Sequence, residues 1–179
     1  MNIENAKKIF GWMPESELTW LATQAAVYKN IVEIGSFMGR STRALADSTR
    51  GMVTAVDTWA GSDEEQHRKL LEGKSPDWLF EQFQANMAGI TNLAMIRKPS
   101  LEAAAEFTAE NRQFDFIFID ASHDHANVKA DILAWGPLLT EGGTLCGHDY
   151  HNGAPGVVQA VNELLTGFKT FESIWYVIG

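Results

Sequence analysis

Histidines and acids are concentrated in two short segments of the 179-residue chain, and these segments contain four of its five histidines. Asp120 and His123 lie in the first segment, and His148 and Asp149 lie in the second. Carboxylates combined with imidazoles bind divalent cations such as Mn²⁺, Fe²⁺ or Zn²⁺, whereas a histidine that titrates near neutral pH can remove a proton from a substrate. The two segments therefore predict either a metal site formed by Asp120, His148 and Asp149 or proton transfer by a histidine.

A glycine-interrupted segment earlier in the chain has the pattern of a ligand-binding turn. An apolar run at residues 31–34 carries Glu33, Gly35 ends the run, and Gly39 follows it. Gly35 permits a turn where a Cβ atom would clash, and Gly39 permits the close approach of a helix or a ligand. The pattern predicts a strand, a tight turn and a helix that open a nucleotide-type crevice. The polar side chains of this segment are those of Glu33, Ser36, Ser41 and Thr42.

The second predicted strand also ends in an acid. Asp57 closes the next apolar run and is followed by Thr58 and Trp59. A carboxylate at this place is well positioned to accept hydrogen bonds from both hydroxyls of a ribose. The first two strands together therefore predict a site for a ribose-bearing ligand.

Strand and helix signals alternate along the chain, which predicts an α/β, doubly wound and mostly parallel sheet in a single domain covering residues 1–179. The predicted strands span residues 31–35, 52–57, 93–98, 114–120, 144–147, 169–172 and 174–178. The predicted helices span residues 41–48, 100–110, 127–135 and 157–165, after an N-terminal helical segment at residues 1–29. Because the carboxyl ends of parallel strands share one edge of a sheet, we expect the acids and histidines to converge there.

Three of these segments resemble the motifs of class I S-adenosylmethionine (SAM)-dependent methyltransferases. Residues 33–42 resemble motif I, with the spacing E-x-G-x-x-x-G-x-S of small, catechol-type O-methyltransferases, Asp57 matches the acid of motif II, and residues 114–124 resemble motif IV. The resemblance implies a Rossmann-like, seven-stranded sheet with the order 3-2-1-4-5-7-6, an antiparallel last strand and helices on both faces. It also implies SAM-dependent methylation of a hydroxyl on a small acceptor, such as a sugar or a natural product.

The resemblance further implies roles for individual residues in binding SAM. Glu33 would lie under the methionine portion, Asp57 would hold the ribose hydroxyls, and Trp59 would stack on the adenine. Ser100, after the third strand, would line the adenine pocket. The complete set of cofactor-binding residues that it implies is Glu33, Gly35, Ser36, Gly39, Ser41, Thr42, Asp57, Thr58, Trp59, Ser100 and Asp120.

The chain departs from the catechol-type pattern at the end of the fifth strand. Those enzymes carry an acid–asparagine pair there, whereas this chain has His148 and Asp149. Mg²⁺ prefers oxygen ligands, so the departure weakens the expectation of Mg²⁺ and leaves other divalent metals open. His123 stands where catechol-type enzymes have a catalytic lysine, which makes His123 the candidate base, with Asp120 and His148 as further catalytic residues. Metal assistance and a histidine base can coexist.

Composition argues against several other classes of partner. Acids outnumber basic residues 23 to 14 and the formal net charge is −9, whereas nucleic-acid binding depends on basic residues that neutralise phosphates. No apolar stretch reaches the roughly 20 residues that span a bilayer, and the N-terminus lacks the apolar core of a signal peptide. The single cysteine, Cys146, cannot form a disulfide within the chain, which fits a reducing cytosol. We therefore expect a cytoplasmic enzyme that acts on a small molecule. Homo-oligomerisation stays open.

Two alternative functions and the role of one segment also stay open. An NAD(P)-dependent oxidoreductase would use the same architecture, although the chain lacks the G-x-G-x-x-G motif, and a non-catalytic binding module would keep the cofactor site without turnover. Residues 60–89, with Trp78, Phe80 and Phe83, predict either a lid over the substrate or an ordinary crossover helix. Their position after Asp57 places them beside the predicted cofactor site.

Overall fold

The computed structural model of the chain describes residues 2–62 and 64–179, and these form seven strands and seven α-helices. The strands are β1 (Asn30–Ile34), β2 (Met52–Asp57), β3 (Leu93–Arg97), β4 (Phe114–Ile119), β5 (Leu139–Gly147), β6 (Lys169–Phe171) and β7 (Ile174–Ile178). The helices are α1 (Glu15–Ala25), α2 (Arg40–Ser48), α3 (Glu65–Leu71), α4 (Trp78–Asn86), α5 (Ser100–Ala109), α6 (His125–Trp135) and α7 (Pro155–Leu164), with short 3₁₀ helices at Ala6–Lys8 and Gly136–Leu138.

The seven strands form one sheet with the order β3-β2-β1-β4-β5-β7-β6, as the resemblance predicts. The strands β1 to β5 run parallel, and β7 runs antiparallel to both β5 and β6. The strand order reverses between β1 and β4, so the carboxyl ends of these two strands flank the crevice where ligands bind in open α/β sheets. The predicted doubly wound fold is therefore confirmed.

Helices cover both faces of the sheet, which explains why β4 is apolar along its length. Ile117 and Ile119 pack with buried residues of α5, α6 and α7, whereas Phe116 and Phe118 pack with buried residues of α1 and α2. A strand that is buried on both faces has this continuous apolar pattern. Cys146 lies in the second cluster and is buried. No helix in the described part of the chain has the length and apolar character needed to cross a membrane.

The N-terminal segment is not one helix, contrary to the prediction for residues 1–29. Residues Ala6–Lys8 form only a short 3₁₀ turn, and α1 begins at Glu15. Pro14 precedes α1 with extended backbone (φ −71°, ψ 164°), because a proline is tolerated at a helix start but removes a backbone donor. The residues between the two helices are irregular.

One arginine fastens this irregular stretch to the start of α2. The Arg40 guanidinium donates hydrogen bonds to the carbonyl oxygens of Ile9, at 2.7 Å, and Met13, at 2.9 Å. The attachment carries Trp12 to the carboxyl edge of the sheet, where its side chain lines a cavity. The N-terminal segment therefore takes part in shaping the ligand side of the fold.

Strand β5 begins five residues earlier than the predicted strand at 144–147, at Leu139. Gly142 lies within the strand with a φ of +73°, and the pairing with β4 shifts register between Phe114 and Phe116. A glycine at positive φ permits such a bulge without ending the strand.

The segment between β2 and β3 contains both a crossover helix and an exposed helix. Helix α4 is the crossover, because its Leu79 and Phe83 are buried in a cluster with Trp59. Helix α3, by contrast, has no buried residue among the seven that the structure describes there. Its Leu70 and Leu71 are only partly buried and pack against the same cluster, and a lid at α3 and the residues just before it stays a prediction.

The ends of β1 and β4 touch at Gly35. This residue has a φ of +90°, and a Cβ atom on it would lie 2.1 Å from the carbonyl oxygen of Asp120. The amide of Asp120 donates to the carbonyl oxygen of Ile34 at 2.7 Å, and the amide of Gly35 donates to that of Val56 at 2.9 Å. Only glycine meets both the conformational and the spatial condition, so the turn holds Glu33 and Asp120 at neighbouring strand ends.

We expect Gly35→Ala to lower the free energy of unfolding by about 3 kcal/mol. Left-handed backbone strain contributes roughly 1–2 kcal/mol, and overpacking contributes roughly 1–3 kcal/mol. Gly73→Ala is the matched control, because Gly73 also has positive φ (+71°) but its missing Cβ has nothing within 4 Å. Urea denaturation followed by circular dichroism measures both variants. Equal losses in the two variants would contradict the close-approach argument.

Candidate active site

A cavity of about 610 Å³ opens at the carboxyl edge of the sheet, beside a smaller cavity of about 140 Å³. The two cavities share Gly35, Phe37, His67, Asp120 and His123 in their walls. Of the predicted site residues, the larger cavity is also lined by Asp57, Thr58 and Ser100, and the smaller cavity by Ser36, Ser41, His148 and Asp149. The fold therefore brings most of the predicted residues to one place.

Glu33, on β1, is fully buried and only half satisfied by hydrogen bonds. Its Oε2 accepts hydrogen bonds from Ser36 Oγ, at 2.7 Å, and from Thr42 Oγ1. Its Oε1 has no partner among the described residues. Burial raises the pKa of Glu33 to about 7, against the opposing effect of the hydroxyls of Ser41, Thr42 and Ser36, and the charge of Asp120 raises it further. A buried acceptor without a donor is costly, so a cationic donor that reached this oxygen would stabilise the carboxylate.

Asp57, at the end of β2, faces the larger cavity with a carboxylate that two backbone amides hold in place. The amide of Phe37 donates to Oδ2 at 2.8 Å, and the amide of Trp59 donates to Oδ1 at 2.7 Å. Burial raises the pKa of Asp57, and these two amides oppose the shift. Each carboxylate oxygen has a second lone pair for a ligand hydroxyl. The geometry therefore fits the predicted ribose contact.

Four predicted cofactor-binding residues are buried and line neither cavity, namely Glu33, Gly39, Thr42 and Trp59. Trp59 is fully buried, with its ring centroid 4.8 Å from that of Phe80 and 4.7 Å from that of Phe83. A Cβ atom on Gly39 would lie 2.6 Å from Met87 Cε, so the close approach at this glycine is made by the end of α4. The structure contradicts the predicted stacking of Trp59 on an adenine, because α4 covers the indole.

Ser100, at the start of α5, lines the larger cavity and joins a buried network from α6. Its hydroxyl donates to Asp131 Oδ1 and accepts a hydrogen bond from Trp135 Nε1 at 2.8 Å. Burial raises the pKa of Asp131 to about 6, and the hydrogen bond from Ser100 opposes the shift. Asp131 is not among the predicted site residues, because the sequence of a helix does not show which of its acids is buried.

Five side chains form an alternating row of carboxylates and imidazoles at the carboxyl edge. His123 Nδ1 lies 2.7 Å from Glu64 Oε1, and its Nε2 lies 2.8 Å from Asp149 Oδ2. His148 Nδ1 lies 3.1 Å from the same oxygen of Asp149, and its Nε2 lies 2.7 Å from Glu17 Oε2. The row therefore connects α1, the ends of β4 and β5, and the residues before α3.

The charges of this row control the protonation of both histidines. The hydrogen bond to Asp149 raises the pKa of His123 to about 9, although burial opposes the shift. Burial lowers the pKa of His148, but the charge of Asp120 and the contacts with Asp149 and Glu17 outweigh it and raise the value to about 11. Both imidazoles therefore carry a proton at neutral pH. The interpretation of His123 as a base acting alone does not fit this arrangement, because a base needs a neutral ring.

Asp120, His123 and Asp149 form a group that fits a divalent cation, with one ligand atom from each lying within 4.8 Å of the others. The predicted set contained His148 in place of His123. His148 Nδ1 also lies near both acids, 3.6 Å from Asp120 Oδ1 and 3.1 Å from Asp149 Oδ2, so the structure adds His123 as a candidate ligand, and the set with His148 stays a prediction. One imidazole nitrogen with two carboxylates suits Mn²⁺, Fe²⁺ or Zn²⁺ better than Mg²⁺. A bound cation would displace the Nε2 proton of His123.

Glu17 and Glu64 belong to the site although sequence analysis did not select them. Glu17 is fully buried in α1, and its Oε1 accepts a hydrogen bond from the amide of Ser173 at 2.9 Å. Burial raises the pKa of Glu17, but hydrogen bonds from His148 and Ser173 outweigh it and lower the value. In the sequence, both acids resemble ordinary surface residues of helices. Only the packing of α1 and of the insert against the strand ends reveals them.

Comparisons with known proteins agree with this architecture. A family model described as a methyltransferase domain matches residues 32–150. CalS11, a calicheamicin methyltransferase, has a TM-score of 0.68 at 19% identity, over 90% of this chain and 77% of its own. An O-methyltransferase from Bacillus cereus, solved with SAH, has a TM-score of 0.63 at 19% identity, over 97% and 86%. TomG, an O-methyltransferase from Streptomyces achromogenes solved with SAM, has a TM-score of 0.67 at 14% identity, over 93% and 81%.

The structural comparisons and the family match carry different weight. At these identities, the similarity to the three solved structures shows the fold. No curated protein matches the chain. The family match rests on the sequence itself, and its residues 32–150 include the glycine turn, the acid of β2 and the segments of Asp120 and His148.

We expect Glu33→Gln to be as stable as the wild type near pH 5 and more stable at pH 8. The pKa of Glu33 rises from its ordinary value of 4.5 to about 7 on folding, so the folded chain binds more protons between these values. The free energy of unfolding of the wild type therefore falls as pH rises through this window, by about 3 kcal/mol at about 1.4 kcal/mol per pKa unit. The amide side chain of the variant does not titrate, so the variant loses this dependence.

Urea denaturation at several pH values measures the difference between the two proteins. Glu102→Gln, at an exposed position of α5, is the control and should follow the wild type. A constant stability difference between Glu33→Gln and the wild type across this range would contradict the assignment of a buried, half-satisfied carboxylate.

Proposed function

Because the chain belongs to the methyltransferase-domain family, as its match over residues 32–150 shows, we propose that it transfers the methyl group of SAM to a hydroxyl oxygen of a small molecule. A divalent cation held by Asp120, His123 and Asp149 would assist the transfer. The acceptor would be a single-ring compound, such as a sugar or a natural-product fragment.

The observation that carries the proposal is the buried Oε1 of Glu33, which has no hydrogen-bond partner within residues 2–62 and 64–179. The ammonium group of the methionine portion of SAM would supply a charge-assisted hydrogen bond to this buried oxygen. Asp57 gives the second anchor, since its carboxylate faces the larger cavity and has lone pairs for ribose hydroxyls. The volume of that cavity, about 610 Å³, falls within the roughly 300–1,000 Å³ that small-molecule sites occupy. Ser100 lines the same cavity and would lie beside the adenine.

The smaller cavity is the best-supported acceptor site because of its size and its walls. Its volume of about 140 Å³ is close to the roughly 150 Å³ of a cavity that holds benzene. The rings of Phe37 and His67 stack with centroids 4.9 Å apart, and the Trp12 ring lies 5.2 Å from that of Phe37. Aromatic walls suit a flat ring or the apolar face of a sugar. Asp120 and Asp149 line the same cavity, so a ring hydroxyl would reach the proposed cation site.

In this reaction the protein would mainly align the two reactants and supply charge near the acceptor hydroxyl. SAM would supply a methyl group on a positively charged sulfur. The acceptor oxygen would bond to this carbon as the carbon–sulfur bond breaks, which leaves SAH, and the hydroxyl proton would be released to solvent. A cation would supply positive charge that lowers the pKa of the acceptor hydroxyl. Asp120, Asp149 and His123 Nε2 would hold this cation, and protonated His148 would add a second positive charge beside Asp149. The chain thereby positions the two reactants and favours the ionised acceptor.

We expect the wild type to bind SAM and SAH, and Glu33→Gln to bind SAM at least about tenfold more weakly, because its amide lacks the charge that the ammonium group requires. The SAM affinity of the wild type should rise from about pH 5.5 to about pH 7.5, since Glu33 ionises near pH 7. The variant should lose this pH dependence. Isothermal titration calorimetry measures both effects. Binding of NAD⁺ but not SAM would contradict the proposal and favour an oxidoreductase.

We expect methyl transfer to depend on a divalent cation. Protein treated with EDTA should form no SAH with a panel of hydroxylated sugars and single-ring phenols, and Mn²⁺ should restore turnover. Asp149→Asn should lower turnover about 100-fold or more with little change in SAM affinity, because Asp149 lines only the acceptor-side cavity of the two. Glu163→Gln, on the exposed side of α7, is the control.

Two outcomes would redirect this proposal. Full turnover in EDTA, with Asp149→Asn unaffected, would remove the cation from the mechanism. Binding of SAM with no turnover on any acceptor, with or without Mn²⁺, would favour the non-catalytic binding module.

A further inference from the structure

Glu64 connects the insert to the proposed cation site through a single side-chain contact. It lies directly before α3, outside the segments that carry the family motifs. Its Oε1 lies 2.7 Å from His123 Nδ1, and its Oε2 accepts a hydrogen bond from Gln66 Nε2 at 3.3 Å. Both carboxylate oxygens are therefore engaged, one within the insert and one at the end of β4.

The His123 ring is held on both sides by this arrangement. Glu64 contacts Nδ1, and Asp149 contacts Nε2 at 2.8 Å. An imidazole with both nitrogens engaged has one preferred ring orientation, and here that orientation turns Nε2 toward Asp149 and Asp120. Without Glu64, the ring would have a free Nδ1 and could turn its Nε2 away from the two carboxylates.

We propose that Glu64 is a positioning residue, which orients His123 so that its Nε2 can bind the divalent cation. The inference rests on the proposed function, because it assumes a cation at Asp120, His123 and Asp149. With the cation in place, the Nδ1–H group of His123 donates to Glu64, and the Nε2 lone pair faces the metal. A carboxylate that holds the distal nitrogen of a metal-bound histidine fixes its tautomer and increases its basicity.

The same contact couples cation binding to the position of the insert. None of the described residues of α3 is buried, and the segment is held by its Leu70 and Leu71, which pack against the cluster of Trp59, together with contacts at the carboxyl edge. One is the Glu64–His123 pair, and another is the stacking of His67 on Phe37, with an interplanar angle of 6°. Ser62 Oγ lies 2.7 Å from His67 Nδ1 and supports that ring. The position of the segment therefore sets the position of Glu64 relative to His123.

A purely structural ion pair would behave differently from a positioning residue. The side chains of His123 and Glu64 are 36% and 34% exposed, and pairs of such exposure stabilise a fold by only about 0–1 kcal/mol. A structural role would therefore produce a small change in stability and leave cation affinity unchanged. The two roles make distinct predictions.

We expect Glu64→Ala to weaken Mn²⁺ binding about 10–100-fold. Electron paramagnetic resonance measures free Mn²⁺ in titrations of the full chain. Glu64→Gln retains an oxygen that accepts from the Nδ1–H group, so it should restore most of the affinity. Glu65→Ala is the matched control, because Glu65 is in the same segment but pairs with Lys69 within α3. It should bind Mn²⁺ like the wild type.

Parallel measurements separate failure of this inference from failure of the proposed function. SAM affinity, measured by calorimetry, should be equal in the wild type and in Glu65→Ala, and thermal melting confirms that each of the four proteins is folded. Wild-type affinity for Mn²⁺ in a folded Glu64→Ala variant would overturn the role of Glu64 alone. Absence of Mn²⁺ binding by a wild type that binds SAM would overturn both this role and the proposed cation, and would leave the proposed SAM site standing. Absence of SAM binding by the wild type would instead count against the proposed function.

Discussion

The alternation of negative and positive side chains at the carboxyl edge is the interaction on which the site depends. Asp120 and Asp149 come from adjacent strands and would repel each other if they were left alone in a partly buried place. His123 and His148 supply the compensating charge, and Glu17 binds the far nitrogen of His148. Desolvation of an ion is tolerated when its neighbours carry the opposite charge in good geometry. The row therefore permits two carboxylates to face one cavity.

Glu33 differs from these acids, because it is a buried carboxylate that pairs with no cationic side chain of the described residues and has only one of its oxygens hydrogen-bonded. Hydroxyl groups from the turn and from α2 hold one of its oxygens, and no described residue holds the other. The close contact at Gly35 keeps this carboxylate beside Asp120, whose charge adds to the shift in its pKa. A ligand that brings positive charge would stabilise this carboxylate. Part of the binding free energy would then come from relieving the cost of a buried acceptor that has no donor in the free protein.

The connections outside the sheet supply the aromatic walls of the site. Arg40 fastens the irregular N-terminal stretch to α2 through backbone carbonyls, and this places Trp12 beside Phe37. The insert adds His67 to the same aromatic group and Glu64 to the row of charges. The sheet thus carries the charged groups at fixed strand ends, while the connections above it form the surface that an acceptor would touch.

The sequence by itself determined the elements of the fold and the edge at which its chemistry lies. Apolar runs and glycine turns located most strands and helices within two residues, because burial on a sheet imposes a local pattern. The same rule placed Asp57, Asp120 and Asp149 at strand ends on one edge. The strand order itself came from the family resemblance, since no local pattern encodes which strands become neighbours.

Only the tertiary structure decided which partner each side chain found. His148 pairs with Glu17, a residue 131 positions away, and His123, which the predicted metal set lacks, joins Asp120 and Asp149 in a possible ligand group. Trp59 ends a motif that suggested an adenine platform, yet α4 covers its ring. These choices depend on how helices and connections pack over the strand ends. Such packing brings together residues that are distant in the chain, and the periodicity of a sequence cannot predict these contacts.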